Sequence, residues 1–382
     1  MGYIPGTKIK TLELPPNPPG DEDPCWCRSQ VPYGKCHKHR HQMQPESRWT
    51  ILKRVRKLMD TSYCSHPDAS PATCTGRIVK AHSLQRSGSL SRLAVDGHVY
   101  GLDAKAMPDD RGIFPFVRIG LNRASTFTGF CQRHDTEMFA PLETKPFTAK
   151  KEQLFLLAYR AVAKEAFAKR FGIRMLPIFR LADVGKEPFE QYLVQEQLYQ
   201  REQLQSLSLR DLETTMKDYA AIYRSGDFDR MSAYVVFADR KIGFATSGGV
   251  HPEFDFEGNS LQALASTDRL DQLTYSAIPF EDGSVFAFVW DSKAGKSCIR
   301  LMQSLDRFSN DDLADALIRM TFEHFENTFA DPRWWESLTP RERDALERRT
   351  GKAASQENRE PGCLKEDGLR VARWKIVARQ WL

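Results

Sequence analysis

Apolar residues recur at helical spacing along the middle of the chain. Leu154, Leu157, Ala158, Ala161, Ala168 and Phe171 form a stripe that predicts a helix over 148–172. Thr148 suits its start and Gly172 its end. Pro177 and Pro188 bracket a break. Beyond it, Tyr192, Leu193, Tyr199, Leu212, Met216, Tyr219 and Tyr223 predict a second long helix over 189–223, with a polar, uncharged side from Gln195 to Gln205. A shorter helix is expected over 47–59. There Trp49, Ile51, Leu52, Val55 and Leu58 are apolar, and Lys53, Arg54, Arg56 and Lys57 occupy the other face.

From Ser225-Gly226-Asp227 onward the period shortens. Residues 234–238, 242–246, 273–279 and 284–290 read as strands, with turns at Gly248-Gly249 and Asp282-Gly283. A helix is expected over 310–328. Thr339-Pro340-Arg341-Glu342 is a capping box with proline at the first helical position. Residues 351–361 read as a polar linker. From Arg370 to Leu382 basic residues alternate with apolar ones, which suits either a nucleic-acid strip or a docked final element. Trp334-Trp335 would anchor this end to the core or stack on bases.

The N-terminal third is patterned differently. Residues 1–24 are rich in proline and predict an extended arm. Residues 77–82 read as a short strand ending on His82. A turn and short helix follow over 83–93, then a tight turn at Asp96-Gly97, a polar loop over 103–110, and apolar residues over 114–119.

Composition narrows the class. The 382 residues are 41% hydrophobic and 27% charged, with net charge +5, so sizeable cores are expected and nucleic acid is an admissible partner. No run of about eighteen apolar residues occurs, so no membrane span is expected. The opening Met1–Lys10 is short and mixed rather than a secretory leader. Of the 8 cysteines several neighbour histidines, which favours metal binding in a reducing cytoplasm over disulfides.

Two stretches carry the candidate chemistry. The first reads Cys25-Trp-Cys27-Arg-Ser-Gln-Val-Pro-Tyr-Gly-Lys-Cys36-His37. Four donors so close together wrap one metal, whose binding energy folds the knuckle. The second places Cys64 and Cys74 before the strand that ends on His82, and Cys131-Gln-Arg-His134 at the start of a helix. Soft donors of this kind suit tetrahedral zinc. His66 is a rival fourth donor and His98 a weaker one. His82 is either a general base, near its ordinary pKa at neutral pH, or a structural or ligating histidine.

The C-x-C-x8-C-H spacing of the first stretch resembles the SEC-C motif, a small zinc knuckle appended to many bacterial proteins. Gln30 stands where that family usually carries Gly. The resemblance implies contact with a protein partner or nucleic acid, to which His39, Arg40 and His41 would add basic character. It also fits an antiviral-defence or mobile-element setting.

The order of cysteine pair, strand, histidine, loop and helix opening on paired ligands is a treble-clef arrangement. With a histidine ending the strand it resembles the HNH, or ββα-metal, nucleases. That resemblance implies His82 as the base that activates water, and Cys64, Cys74, Cys131 and His134 as structural zinc ligands. It places Asp135 at the catalytic-metal position, with Mg or Mn as the cation, and gives Asn122 the role of the middle asparagine. Three features depart from the family: the C-x9-C spacing, Ala81 in place of an acidic residue, and the long interval between His82 and Cys131. Arg86 and Lys53, with Arg40, are candidate phosphate contacts.

The expected fold is α+β. It comprises an arm and knuckle over 1–45, a treble-clef zinc domain over 46–147, a helical region over 148–228, an α+β module over 229–330 and a basic segment over 331–382.

Overall fold

The structure, a computed structural model, describes residues 18–59, 62–103, 109, 113–355 and 359–382. Most of the expected arm, most of the loop over 103–110, and residues 356–358 of the expected linker lie outside them.

In chain order the elements are α1 (Tyr33–Cys36), α2 (Arg48–Met59), β1 (Ile78–His82), α3 (Ser91–Leu93), β2 (His98–Gly101), β3 (Val117–Gly120) and β4 (Thr126–Cys131). Then come α4 (Gln132–Glu143), α5 (Lys151–Phe179), α6 (Pro188–Ser225), β5 (Met231–Ala238), β6 (Phe244–Val250), β7 (Leu273–Pro279) and β8 (Ser284–Asp291). The chain closes with α7 (Lys296–Asp306), α8 (Asn310–His324), β9 (Thr328–Ala330), α9 (Pro332–Ser337), α10 (Pro340–Ser355) and β10 (Ile376–Trp381). The fold is α+β, as the alternation of periods predicts.

Two compact units form. One combines the described residues up to 59 with Ala168–Arg210, and the other combines Ser62–Phe167 with Asp211–Leu382. The second unit is built on an antiparallel sheet of eight strands in the order β10-β5-β8-β7-β6-β9-β2-β3. Successive side chains on a strand face opposite ways. Thus Phe286, Phe288 and Trp290 of β8 enter one core, which they share with α7 and α8. Val285, Ala287 and Val289 enter the other, which they share with α4, α5 and the end of α6. Both faces are covered, which is why β8 reads as an unbroken apolar run.

The segment between His82 and Cys131 divides its strands. β1 and β4 pair with each other as a separate two-stranded ribbon, Ile78 opposite Cys131 and His82 opposite Thr126. β2 and β3 instead form a hairpin at the end of the large sheet, where β2 pairs with β9. The long interval is therefore occupied by sheet.

Several expected boundaries move. α5 runs past Gly172 to Phe179 and carries Pro177 in its last turn, where proline costs only one ladder bond. Thr148 does not cap it: its N–H and hydroxyl both donate to Gln153 Oε1. Gly248 and Gly249 are not a turn but lie within β6, opposite Tyr275 and Thr274. A Cβ on Gly248 would sit 2.7 Å from the ring of Phe325, and one on Gly249 2.7 Å from Gln272, so close packing explains both. The helix expected to reach residue 328 stops at His324, and β9 follows. Helix α7, absent from the expectations above, buries Cys298, Leu301, Met302 and Leu305 at helical spacing.

At the C-terminal end the capping box is present, with Glu342 Oε2 accepting from the Thr339 N–H and Thr339 Oγ1 from the Glu342 N–H. Gly351 and Ala353 are buried within α10 rather than in a linker. Trp335 is buried and stacks on Phe116 with ring centroids 4.6 Å apart. The final basic-apolar alternation is a docked segment that ends in β10. Val371, Trp374 and Ile376 are buried, while Arg370 and Arg379 bind Asp312, Asp315 and Asp306 within the chain.

α2 forms as expected, with Ile51, Leu52, Val55 and Leu58 half-buried, but Trp49 is 77% exposed. At about 100° per residue Trp49 falls on the same side as Lys53 and Arg56, opposite Leu58.

Candidate metal centres and the strand histidine

The first centre lies in the first unit. A chain bend brings Cys25 and Cys27 onto α1, which carries Cys36, with His37 just beyond it. The four donor atoms all lie within 4.8 Å of one another. His37 Nδ1 is 3.1 Å from Cys25 Sγ and 3.2 Å from Cys36 Sγ. The Cys27 and Cys36 sulfurs are 3.5 Å apart, too far for a disulfide, and all eight cysteines are free.

Gln30 stands at φ 64°, the left-handed region where glycine is unpenalised. Gln30→Gly is therefore expected to stabilise the knuckle by about 1 kcal/mol, read as slower zinc loss to a chelator.

The other ring nitrogen of His37 faces Asp183 Oδ2 at 2.9 Å. Asp183 is fully buried and also accepts from Arg40 Nε at 2.6 Å and Gln195 Nε2 at 2.5 Å. Burial lowers the His37 pKa, but the Asp183 carboxylate outweighs it and raises it to about 9. Such a carboxylate fixes the ring and its tautomer for a metal. Asp183→Asn is expected to weaken zinc about 10–100-fold at this centre and leave the other unchanged. Competition with a chromophoric chelator measures both. Arg40, a candidate phosphate contact, is turned toward this carboxylate. Arg28 rests on the ring of Tyr199, and Trp26 packs edge-on against Tyr192.

The second centre lies in the second unit. Residues 63–65 run beside β4, with the Ser65 N–H on Gly129 O and Tyr159 Oη donating to Ser65 O. This places Cys64. Cys131 ends β4 and holds the N-cap position of α4, and His134 lies in the first turn. Cys74 closes the set, and all four donors again lie within 4.8 Å of one another. His134 Nδ1 is 3.4 Å from Cys64 Sγ, 3.7 Å from Cys74 Sγ and 3.4 Å from Cys131 Sγ. Zinc bonds of the usual lengths at tetrahedral angles would set sulfur and nitrogen about 3.6 Å apart, so the donor set fits the ion. Burial pushes the Cys64 thiol up to about 11, so metal binding there releases a proton.

The rival donors have other places. His66 stacks on His134, centroids 3.9 Å apart, and its Nδ1 accepts the Asp68 N–H. His98 is exposed, its Nδ1 beside Asp96 O. The loop of His251, Glu253, Asp255 and Glu257 forms no metal-holding group among the described residues. Asp255 there binds the backbone and side chain of Asn259.

His82 is half-buried at the end of β1. Its Nε2 lies 3.2 Å from Leu121 O, and because a carbonyl only accepts, the proton sits there. Nδ1 is left with its lone pair. Burial lowers the pKa of His82 below its ordinary value, opposed by the Leu121 carbonyl. Asn122 is exposed and adjoins that carbonyl in the turn after β3. Asp135 follows His134 on α4, and its Oδ1 is buried without a hydrogen-bond partner among the described residues. Burial raises its pKa, opposed by Arg160. His82 and Asp135 both lie in the field of Glu143 and Arg160. Arg86 is exposed four residues beyond His82, and Lys53 is exposed on α2.

Asp183 and Glu143 were not marked out by the sequence. Neither sits in a ligand-like spacing, since Asp183 meets His37 only through folding.

No known family model matches the chain, nor does any curated protein or solved structure. No helix among the described residues is long and apolar enough to cross a membrane.

Proposed function

We propose that the chain is a zinc-containing, HNH-like, metal-dependent nuclease acting on nucleic acid. The observation that carries this reading is His82, fixed on one ring nitrogen by Leu121 O, with the other ring nitrogen carrying a lone pair. It shares its electrostatic surroundings with Asp135, whose Oδ1 is buried without a hydrogen-bond partner among the described residues. The two zinc clusters have a structural part: the second holds β4 and α4 and so sets Asp135 relative to the strand.

In this reading Nδ1 of His82 takes the proton from an attacking water. Leu121 O keeps the ring in the tautomer that can do so. Mg or Mn held at Asp135 would neutralise charge on the phosphate. Asn122, beside Leu121, would orient the strand, and Arg86 would grip an adjacent phosphate. Lys53 shares its helix face with the exposed Trp49 and Arg56, a basic and aromatic surface suited to nucleic acid. Of the segments set out above, the part of 46–147 from Ser62 onward would carry the chemistry, and the knuckle within 1–45 would serve as an accessory contact. The SEC-C resemblance adds a bacterial, cytoplasmic, antiviral-defence setting.

Purified protein is expected to nick plasmid DNA with added Mg or Mn and not without. Binding without cleavage under any divalent cation would instead support a non-catalytic zinc module for nucleic acid or a protein partner.

A further inference from the structure

The residues after His82 form one wall of a cavity of about 650 Å³, within the range of small-ligand sites. Its floor includes Ser247 and Ser276, which oppose each other across β6 and β7. Both are buried, and Ser247 Oγ has no hydrogen-bond partner among the described residues. Arg160, 4% exposed, also lines the cavity. Its Nη1 donates to Glu143 at 2.9 Å and its guanidinium lies 3.9 Å over Phe139, yet its Nε is buried and unpartnered among the described residues. Arg92 and Lys145 add charge at the lining, with Arg92 3.9 Å from Glu281.

Buried polar atoms are normally satisfied, and two orphans in one cavity point to a ligand that satisfies them. Three cations face one carboxylate, Glu143, among the lining residues. A cationic ligand would meet like charge, and an apolar one would leave Ser247 Oγ and Arg160 Nε without the partner they lack among the described residues. An anion with several acceptor oxygens answers both. The remaining wall, with Leu157, Ile278, Phe147 and Phe280, suits a flat apolar body.

We propose that this cavity binds a phosphate group attached to a nucleoside. The phosphate meets Arg160, Ser247 and the two peripheral cations, and the base lies on the apolar wall. The ligand is either a free mononucleotide or the phosphorylated end of a strand. The proposal needs only the cavity, not hydrolysis at His82.

Isothermal titration without added divalent cation tests it, using AMP, adenosine, and one oligonucleotide with and without a 5′-phosphate. AMP is expected to bind at least about tenfold more tightly than adenosine. The exposed double variant Arg92→Glu/Lys145→Glu, its folding checked by Tm, is expected to weaken AMP at least about tenfold. His82→Ala should bind AMP as the parent does, so failure of the nuclease reading leaves this result unchanged. Binding of the 5′-phosphorylated oligonucleotide but not of AMP identifies a strand end as the occupant. Equal affinity for AMP and adenosine, no binding of AMP or the phosphorylated oligonucleotide, or an unaltered double variant would overturn the proposal.

Discussion

Cys131→Ser is expected to release one of two bound zinc ions and to destabilise the ribbon of β1 and β4 together with the start of α4. Cys131 is fully buried, ends β4 opposite Ile78, and stands at the N-cap of α4. A serine hydroxyl does not replace a thiolate on zinc. Structural zinc binds with an apparent free energy of about 10–16 kcal/mol, which matches or exceeds the whole stability of an ordinary domain. Its loss here also frees Cys64 and Cys74, which have no secondary structure of their own. Cys25→Ser removes the other ion, but that cluster organises only a short knuckle, so the remaining fold should persist. Elemental analysis should give two zinc ions in the parent and one in each variant. Thermal unfolding should show a large fall for Cys131→Ser and a small one for Cys25→Ser. Two ions retained in Cys131→Ser would remove the second centre from the account.

His82→Ala is expected to reduce divalent-dependent cleavage about 10²–10⁴-fold, the ordinary contribution of a general base, while zinc content stays at two. The pH profile distinguishes a base from a merely structural ring. A base acts only when neutral. Burial lowers the pKa of His82 below its ordinary value of 6.5. The rate should therefore rise with pH on an acid limb centred below that value and be level by neutrality. In His82→Ala this limb should vanish along with the activity. The same shift bears on stability. Because the fold disfavours the charged ring, stability is fully present above the ordinary pKa and is lost as pH falls through the lowered one. An acid limb unaltered by the substitution would assign the proton transfer elsewhere.

Both donor sets were legible in the sequence because cysteines and histidines that recur in ligand-like patterns suit a soft metal such as zinc. The strands β7 and β8 and the capping box of α10 were legible for a similar reason, since local pattern alone determines them. What escaped depends on distant partners. Gly248 and Gly249 look like a turn until Phe325 and Gln272 are seen packed against them. Asp183 looks like any acidic residue until it meets His37. Trp49 is the exception, since its own helical angle already sets it opposite Leu58. The hairpin of β2 and β3 reads as an insertion, because its neighbour β9 lies far along the chain.

That last pairing has a consequence for biosynthesis. β2 ends at Gly101 and cannot find its neighbour until Thr328–Ala330 has left the ribosome. The edge of the hairpin must stay open through most of translation, when exposed strand edges are most prone to aggregate. Truncated products ending before β9 should accumulate in inclusion bodies, and a holding chaperone should raise the yield of the full chain.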